Sequence, residues 1–194
     1  MKKLFKSIIA AVLCAVIVIA SIGTNTAYAA KKTPLKVTFN GKSINLIKDM
    51  YSGDAPKIKE LEKKWGEAGK KKLDTYYSEY TWKKGKTSIK ITDHGDGYVG
   101  GVTVSVKDKN GAMCGIKVGM KKETALKKLQ KLFGEEKVII QTEGQSISVD
   151  ENNNPVLEGE PTGDGEHILV CIGYAPFGPE LKNGKVSSIS FWMS

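Results

Sequence analysis

Hydrophobic and polar positions change period several times along the chain. Leu35, Val37 and Phe39 alternate and predict a short strand over 35–39. Asn40-Gly41 is a hairpin turn signal, and Ile44 and Leu46 mark a return strand over 42–47. The period then lengthens. Ile58, Leu61 and Trp65 fall at i, i+3 and i+7, with Lys57, Lys59, Lys63 and Lys64 between and beside them. That stripe predicts a helix, with Ser52-Gly53-Asp54 as its N-cap, Pro56 in its first turn and Gly66 as its left-handed C-terminal residue. An aromatic run over 73–82 reads as a strand, turned by Lys84-Gly85. Strands over 88–92 and 98–106 follow, separated by an Asp/Gly-rich loop at 93–97. Beyond a linker at 108–111 and an extended segment at 114–118, Leu126, Leu129 and Phe133 predict a second helix over 122–133. Strands are then expected at 138–142, 146–149, 167–174 and 185–193, with a proline-containing loop at 175–183.

The two helical stripes end alike. Leu61, Trp65, Gly66 and Glu67 align with Leu129, Phe133, Gly134 and Glu135 at an offset of 68. At an offset of 87, Val99, Val102, Val104 and Val106 align with Val186, Ile189, Phe191 and Met193. The 19 residues between these offsets fall naturally in 143–166, a stretch with seven acidic residues and no lysine or arginine. Two anchors in register predict a tandem duplication. The expected fold is α+β: two tandem helix-plus-antiparallel-sheet units forming a helical layer on a β-sheet. The first spans 30–107 with an N-terminal β-hairpin, and the second spans 112–194 with the acidic insertion at 143–166.

Residues 61–67, then Tyr80-Thr81-Trp82-Lys83-Lys84-Gly85, then Gly97-Tyr98-Val99 resemble small secreted domains of the β-lactamase inhibitor protein type and the SmpA/OmlA outer-membrane lipoproteins. Ile116-Lys117-Val118-Gly119-Met120 resembles that family's approach to its first helix. The resemblance covers most of 47–193 as two copies. It implies helices layered on an antiparallel sheet and a non-catalytic binding role. Two departures stand out: Trp65 replaces a frequent leucine, and the second copy has Cys171-Ile172-Gly173-Tyr174 in place of Tyr-x-Trp. No inhibitory residue carries over, and sharing a fold does not make an inhibitor.

The N-terminus changes the picture of where the protein works. Lys2, Lys3 and Lys6 precede an apolar run over 8–20, and Ala27-Tyr28-Ala29 supplies a small-x-small cleavage site. Residues 1–29 therefore read as a bacterial secretory signal peptide with an apolar core short for a membrane span, and an uncleaved N-terminal anchor is the alternative. Cys14 lies outside any lipobox pattern. The expectation is a secreted or cell-wall-associated protein with no stable membrane span after cleavage. Loss of Lys2, Lys3 and Lys6 takes the formal charge from +9 to +6. That excess favours a protein partner or an anionic envelope polymer, and nothing in the pattern points to nucleic acid.

Candidate chemistry is sparse. Export permits a disulfide between Cys114 and Cys171, and two buried thiols on strands are the alternative. His94 between Asp93 and Asp96 fits a tight turn better than a metal site, and His167 opens an apolar strand with no ligand partner nearby. Asp150, Asn152 and Asn154 echo a calcium loop, but Pro155 and Pro161 occupy its glycine and glutamate positions. There is no Gly-x-Ser-x-Gly, and no catalytic residue, metal or cofactor is expected. Tyr76, Tyr80, Trp82 and Tyr98 are the ligand-binding candidates. Alternation puts Tyr76, Tyr80 and Trp82 on one strand face and Tyr77 on the other; the alternative is that one set is core against Trp65. These features predict an exported non-catalytic binding protein recognising a protein or cell-envelope ligand through an aromatic sheet face. The alternative is a secreted inhibitor of a hydrolase that inserts the acidic segment.

Overall fold

The first predicted hairpin forms: β1 (Leu35–Phe39) pairs antiparallel with β2 (Lys42–Ile47). The computed structural model describes residues 34–50, 55–151, 154–172 and 176–193, so the signal-peptide reading at 1–29 and the Ser52-Gly53-Asp54 cap lie outside the described residues. Those described belong to one compact unit, Lys32–Ser194. Helix α1 (Ile58–Trp65) buries Ile58, Leu61 and Trp65, the predicted stripe. Its N-cap is Lys57, which makes no side-chain cap bond. Gly66 follows with φ 96° and ψ 174°, a conformation open to glycine alone, and its N–H donates to the Glu62 carbonyl. Helix α2 (Lys122–Phe133) ends the same way at Gly134.

Strands β3 (Gly69–Lys72), β4 (Ser78–Lys84), β5 (Thr87–Asp93), β6 (Gly101–Val106) and β7 (Gly111–Met113) lie between the helices. After α2 come a 3-10 turn (Glu135–Lys137), β8 (Val138–Thr142), β9 (Ser146–Val149), β10 (Pro155–Glu158), β11 (Glu166–Val170), β12 (Gly178–Lys182) and β13 (Lys185–Met193). β7 joins the first hairpin in a three-stranded sheet ordered β2-β1-β7, and β9 and β10 pair alone. The other eight strands form one antiparallel sheet in the order β3-β4-β5-β6-β13-β12-β11-β8.

The expected α+β fold of two tandem units under a helical layer is corrected by this arrangement. Strands dominate, the described residues hold only two α-helices, and the large sheet is continuous. The reason is edge chemistry. β6 and β13 are Val/Ile-rich strands, and in separate units each would leave a row of backbone N–H and C=O groups open. They pair with each other instead, Val106 opposite Ile189, Val104 opposite Phe191 and Val102 opposite Met193. The strands matched at an offset of 87 thus meet in a register symmetric about Val104 and Phe191.

One face of the large sheet is core. Trp82, Ile89, Ile91, Val104, Ile189, Phe191, Ile168 and Val170 point into a single cluster. That cluster also takes in Leu61 and Trp65 of α1, Leu129 and Phe133 of α2, and Leu35, Val37 and Phe39 of β1. Aromatic rings close it at both ends. Trp65 stands edge-on to Trp82 at 5.5 Å and to Phe39 at 6.1 Å, while Phe177 bridges Phe133 at 5.5 Å and Phe191 at 5.9 Å.

Several local readings shift. The extended segment at 114–118 is a turn: Cys114 (φ 52°) and Gly115 (φ 77°) sit between Met113 and Ile116, whose backbones exchange two hydrogen bonds. The predicted loop at 175–183 contains β12, which owes its position to pairing with β13 and β11 rather than to its own pattern. The strand β3, one glycine and three lysines, forms for the same reason, against β4.

Candidate binding surfaces

The aromatic run does not make one exposed face. Trp82 is 3% exposed, and its Nε1 donates to the Gly66 carbonyl at 2.8 Å. Tyr80 is also buried, beside Lys70, whose ammonium lies 5.1 Å from the ring centroid. The helix end needs them: Trp65 donates from Nε1 to the Lys42 carbonyl at 2.9 Å, and Trp82 fills the space under it. Tyr80 and Trp82 are therefore core residues, which corrects their assignment to an outward aromatic face. Tyr76 never joins their strand. The Asp74 carboxylate accepts from the Tyr76 and Tyr77 amides at 2.7 and 2.8 Å, and the Leu73 amide donates to the Tyr77 carbonyl. This Asx turn stops the extended run, and β4 begins only at Ser78.

The turn instead builds a small apolar rim. Tyr76 is 72% exposed, the highest value among the exposed large hydrophobics, and Leu73 and Tyr77 beside it are exposed as well. The Tyr77 ring meets His94 edge-on at 4.9 Å. His94 belongs to the β5–β6 loop, where the Asp93 carboxylate accepts from the Gly95 and Gly97 amides, both at 2.9 Å. The loop thus uses its carboxylates to hold its own backbone. Tyr98 is exposed too, but stands apart beside α1, with the Lys57 ammonium 5.2 Å from its ring. Of the four predicted aromatics, the structure leaves Tyr76 and Tyr98 at the surface and adds Leu73 and Tyr77.

The opposite face of the large sheet is open. Cross-strand pairing sets Thr81, Lys90, Thr103 and Trp192 in one row, and Lys83, Ser88, Ser105 and Ser190 in the next. Most of these side chains are short. Trp192 rises among them at 62% exposure. Sequence reasoning passed over Trp192 although its signal was present: strict alternation with inward Phe191 sends it outward. At the β11–β12 end the same face holds an open groove lined by Asp164, His167, Glu180 and Ser187. His167 pairs with Glu180 across the strands.

The remaining candidates have structural employment. Cys114 is buried and Cys171 half-buried, and both are free thiols, so the disulfide does not form. Burial pushes the Cys114 thiol up to about 11 and raises that of Cys171. Asp150 accepts from the Asn154 amide at 2.7 Å and caps the β9–β10 turn. Among the described residues, no group of three His, Cys, Asp or Glu side chains is placed to hold a metal ion. Nor is any helix among them long and apolar enough to cross a membrane.

Comparison with family models, curated proteins and solved structures returns no match for this chain.

Proposed function

We propose that this is an exported, non-catalytic binding protein whose recognition element is the rim formed by Leu73, Tyr76 and Tyr77. The observation that carries the reading is the pinned turn. Three large apolar side chains stand in solvent on a loop whose backbone is already fixed by Asp74. Exposed tyrosine on a pre-ordered loop gives contact area at little entropic loss on binding. Lys70, Lys71 and Lys72 lead directly into the turn, so an acidic partner, protein or envelope polymer, is favoured by charge. The test is co-sedimentation with an envelope fraction of the producing cells, compared for wild type and Tyr76→Ala/Tyr77→Ala. The double variant is expected to lose about tenfold or more in retention, as hot-spot tyrosines do. Equal retention of the two proteins removes the rim from the mechanism.

A second reading rests on a different element. The acidic segment carries the β9–β10 hairpin, with Val149 61% and Val156 41% exposed. An exposed apolar hairpin of this kind suits insertion into a hydrolase cleft. Replacing residues 146–158 by a short glycine-serine link would abolish inhibition under this reading; inhibition that survives the replacement excludes it.

A further inference from the structure

The large sheet ends in two edges, β3 and β8, and they differ. At β8, Thr142 is tied back to its own chain: its amide donates to the Gln145 side-chain oxygen at 2.9 Å, and its carbonyl accepts from the Gln145 amide at 3.1 Å. At β3 all four residues are exposed, and no described strand pairs with the outer side. The backbone directions there follow from one bond. The Leu73 amide donates to the Tyr77 carbonyl at 2.9 Å, so these two residues form a hydrogen-bonded pair. Such pairs alternate with non-hydrogen-bonded ones along an antiparallel ladder. Counting back along the register, Lys71–Glu79 is a bonded pair, while Lys72–Ser78 and Lys70–Tyr80 are not. The N–H and C=O groups of Lys70 and Lys72 therefore point away from β4, off the edge of the sheet.

We propose that β3 is a docking edge for an extended acidic peptide segment of a protein partner, which adds a ninth strand to the eight-stranded sheet. The proposal rests on the binding reading above and names the segment that lies beside the rim. Charge selects this occupant. The Lys70 ammonium sits over the Tyr80 ring, while Lys71 and Lys72 make no hydrogen bond or ion pair among the described residues. The carboxylates of the same corner are held elsewhere: Glu79 by Lys90 at 3.4 Å, Asp74 by the Tyr76 and Tyr77 amides, and Asp93 by the Gly95 and Gly97 amides. An acidic strand thus meets an unpaired cation on each of its faces, Lys71 on one and Lys72 on the other. A second copy is disfavoured, because pairing two β3 edges sets lysine opposite lysine.

The pairing within this sheet is antiparallel, and the incoming segment follows it. Three consecutive acids then stand opposite Lys72, Lys71 and Lys70, in that order from the segment's N-terminal side. The first and third acids exchange backbone hydrogen bonds with Lys72 and Lys70, and the amide of the second faces away. The residue before the three acids stands opposite Leu73, where the exposed apolar rim begins, so an apolar side chain is favoured there.

The test is titration of the protein with the acetylated, amidated peptide Val-Thr-Val-Glu-Glu-Glu-Val-Thr, followed by calorimetry and amide NMR. Wild type is expected to bind it saturably below about 1 mM, more weakly at high salt, with the Lys70 and Lys72 amides shifting most. Methylating the backbone nitrogens of the first and third glutamates is expected to cost about tenfold or more in affinity, and methylating the second less than about threefold. Lys72→Pro removes an outward N–H without breaking the β3–β4 ladder, so it is expected to weaken binding about tenfold with unfolding unchanged. Binding indifferent to methylation of the first and third glutamates means recognition by charge alone, as of an anionic polymer, and overturns the proposal. Absence of binding at about 1 mM also overturns it, as does a protein dimer that Lys72→Pro dissolves, which assigns the edge to a second copy. Failure here is separable from failure of the rim. Envelope retention that needs Tyr76 and Tyr77, with no peptide binding, removes the edge alone; peptide binding with retention indifferent to both tyrosines removes the rim alone.

Discussion

Asp108 ties together parts of the fold that are distant in sequence, and removing it has a calculable effect. It follows β6, and its carboxylate accepts from the Thr87 hydroxyl at 2.6 Å, the Lys86 amide at 2.6 Å and the Asn110 amide at 3.0 Å. These bonds, Thr87 first and Lys86 next, hold its carboxyl well below the usual carboxylate range against the opposing effect of burial. In Asp108→Ala the Thr87 hydroxyl, fully buried, loses its acceptor. A buried donor left unmade costs about 1–3 kcal/mol. The Lys86 amide sits at an exposed turn and rehydrates, adding at most about 0.5 kcal/mol. The expected loss is about 2 kcal/mol, or a fall in Tm of about 4–8 °C for a domain of this size. Thr87→Val removes the same donor without leaving it stranded, so adding it to Asp108→Ala restores part of the loss, a coupling on the order of 1 kcal/mol. The pH dependence has a definite sign. A depressed folded pKa contributes stability present above the unfolded value, about 3.9, and lost as pH falls through the folded value. The gap between wild type and Asp108→Ala therefore narrows steadily below about pH 4. Urea unfolding followed by tryptophan emission measures both effects. A variant within about 0.5 kcal/mol of wild type at neutral pH, or a gap unchanged in acid, refutes the reasoning.

Three further outcomes follow from burial and close approach. Trp82→Ala should lose about 3–5 kcal/mol of stability and Trp192→Ala less than about 0.5, by the same unfolding measurement; the reverse order contradicts the assignment of sheet faces. Gly178→Ala should lose about 2–3 kcal/mol, because a Cβ there meets the Ile168 backbone carbonyl of β11, which cannot yield without breaking the β11–β12 pairing. Alkylation followed by mass spectrometry should label Cys171 before Cys114 without reductant, and Cys114 only as pH rises toward about 11 or the protein opens. Failure of both to label until reductant is added would establish a disulfide.

Local pattern was enough for local structure. The stripe Ile58, Leu61, Trp65 became a buried helix face, Leu129 and Phe133 of the second stripe are buried with Ala125 while Leu126 is only partly so, and Val102, Val104 and Val106 became one buried strand face. A period of two or three to four is written in consecutive residues and needs no partner to be read. The glycines that end both helices were legible for the same reason, since only a residue without Cβ tolerates φ near 100° there. What the pattern did not carry is which strand edges meet. β3 and β12 have little apolar signal and exist because a neighbour supplies their hydrogen bonds. The same holds for the candidate surfaces. Tyr76 left the aromatic strand because Asp74 offered its backbone another bond partner, and Tyr80 and Trp82 turned inward because the end of α1 required filling. Alternation alone divides a strand into two faces without saying which is covered. The packing of α1, α2 and the three-stranded sheet on one side decided that, and left Trp192 on the other face in solvent.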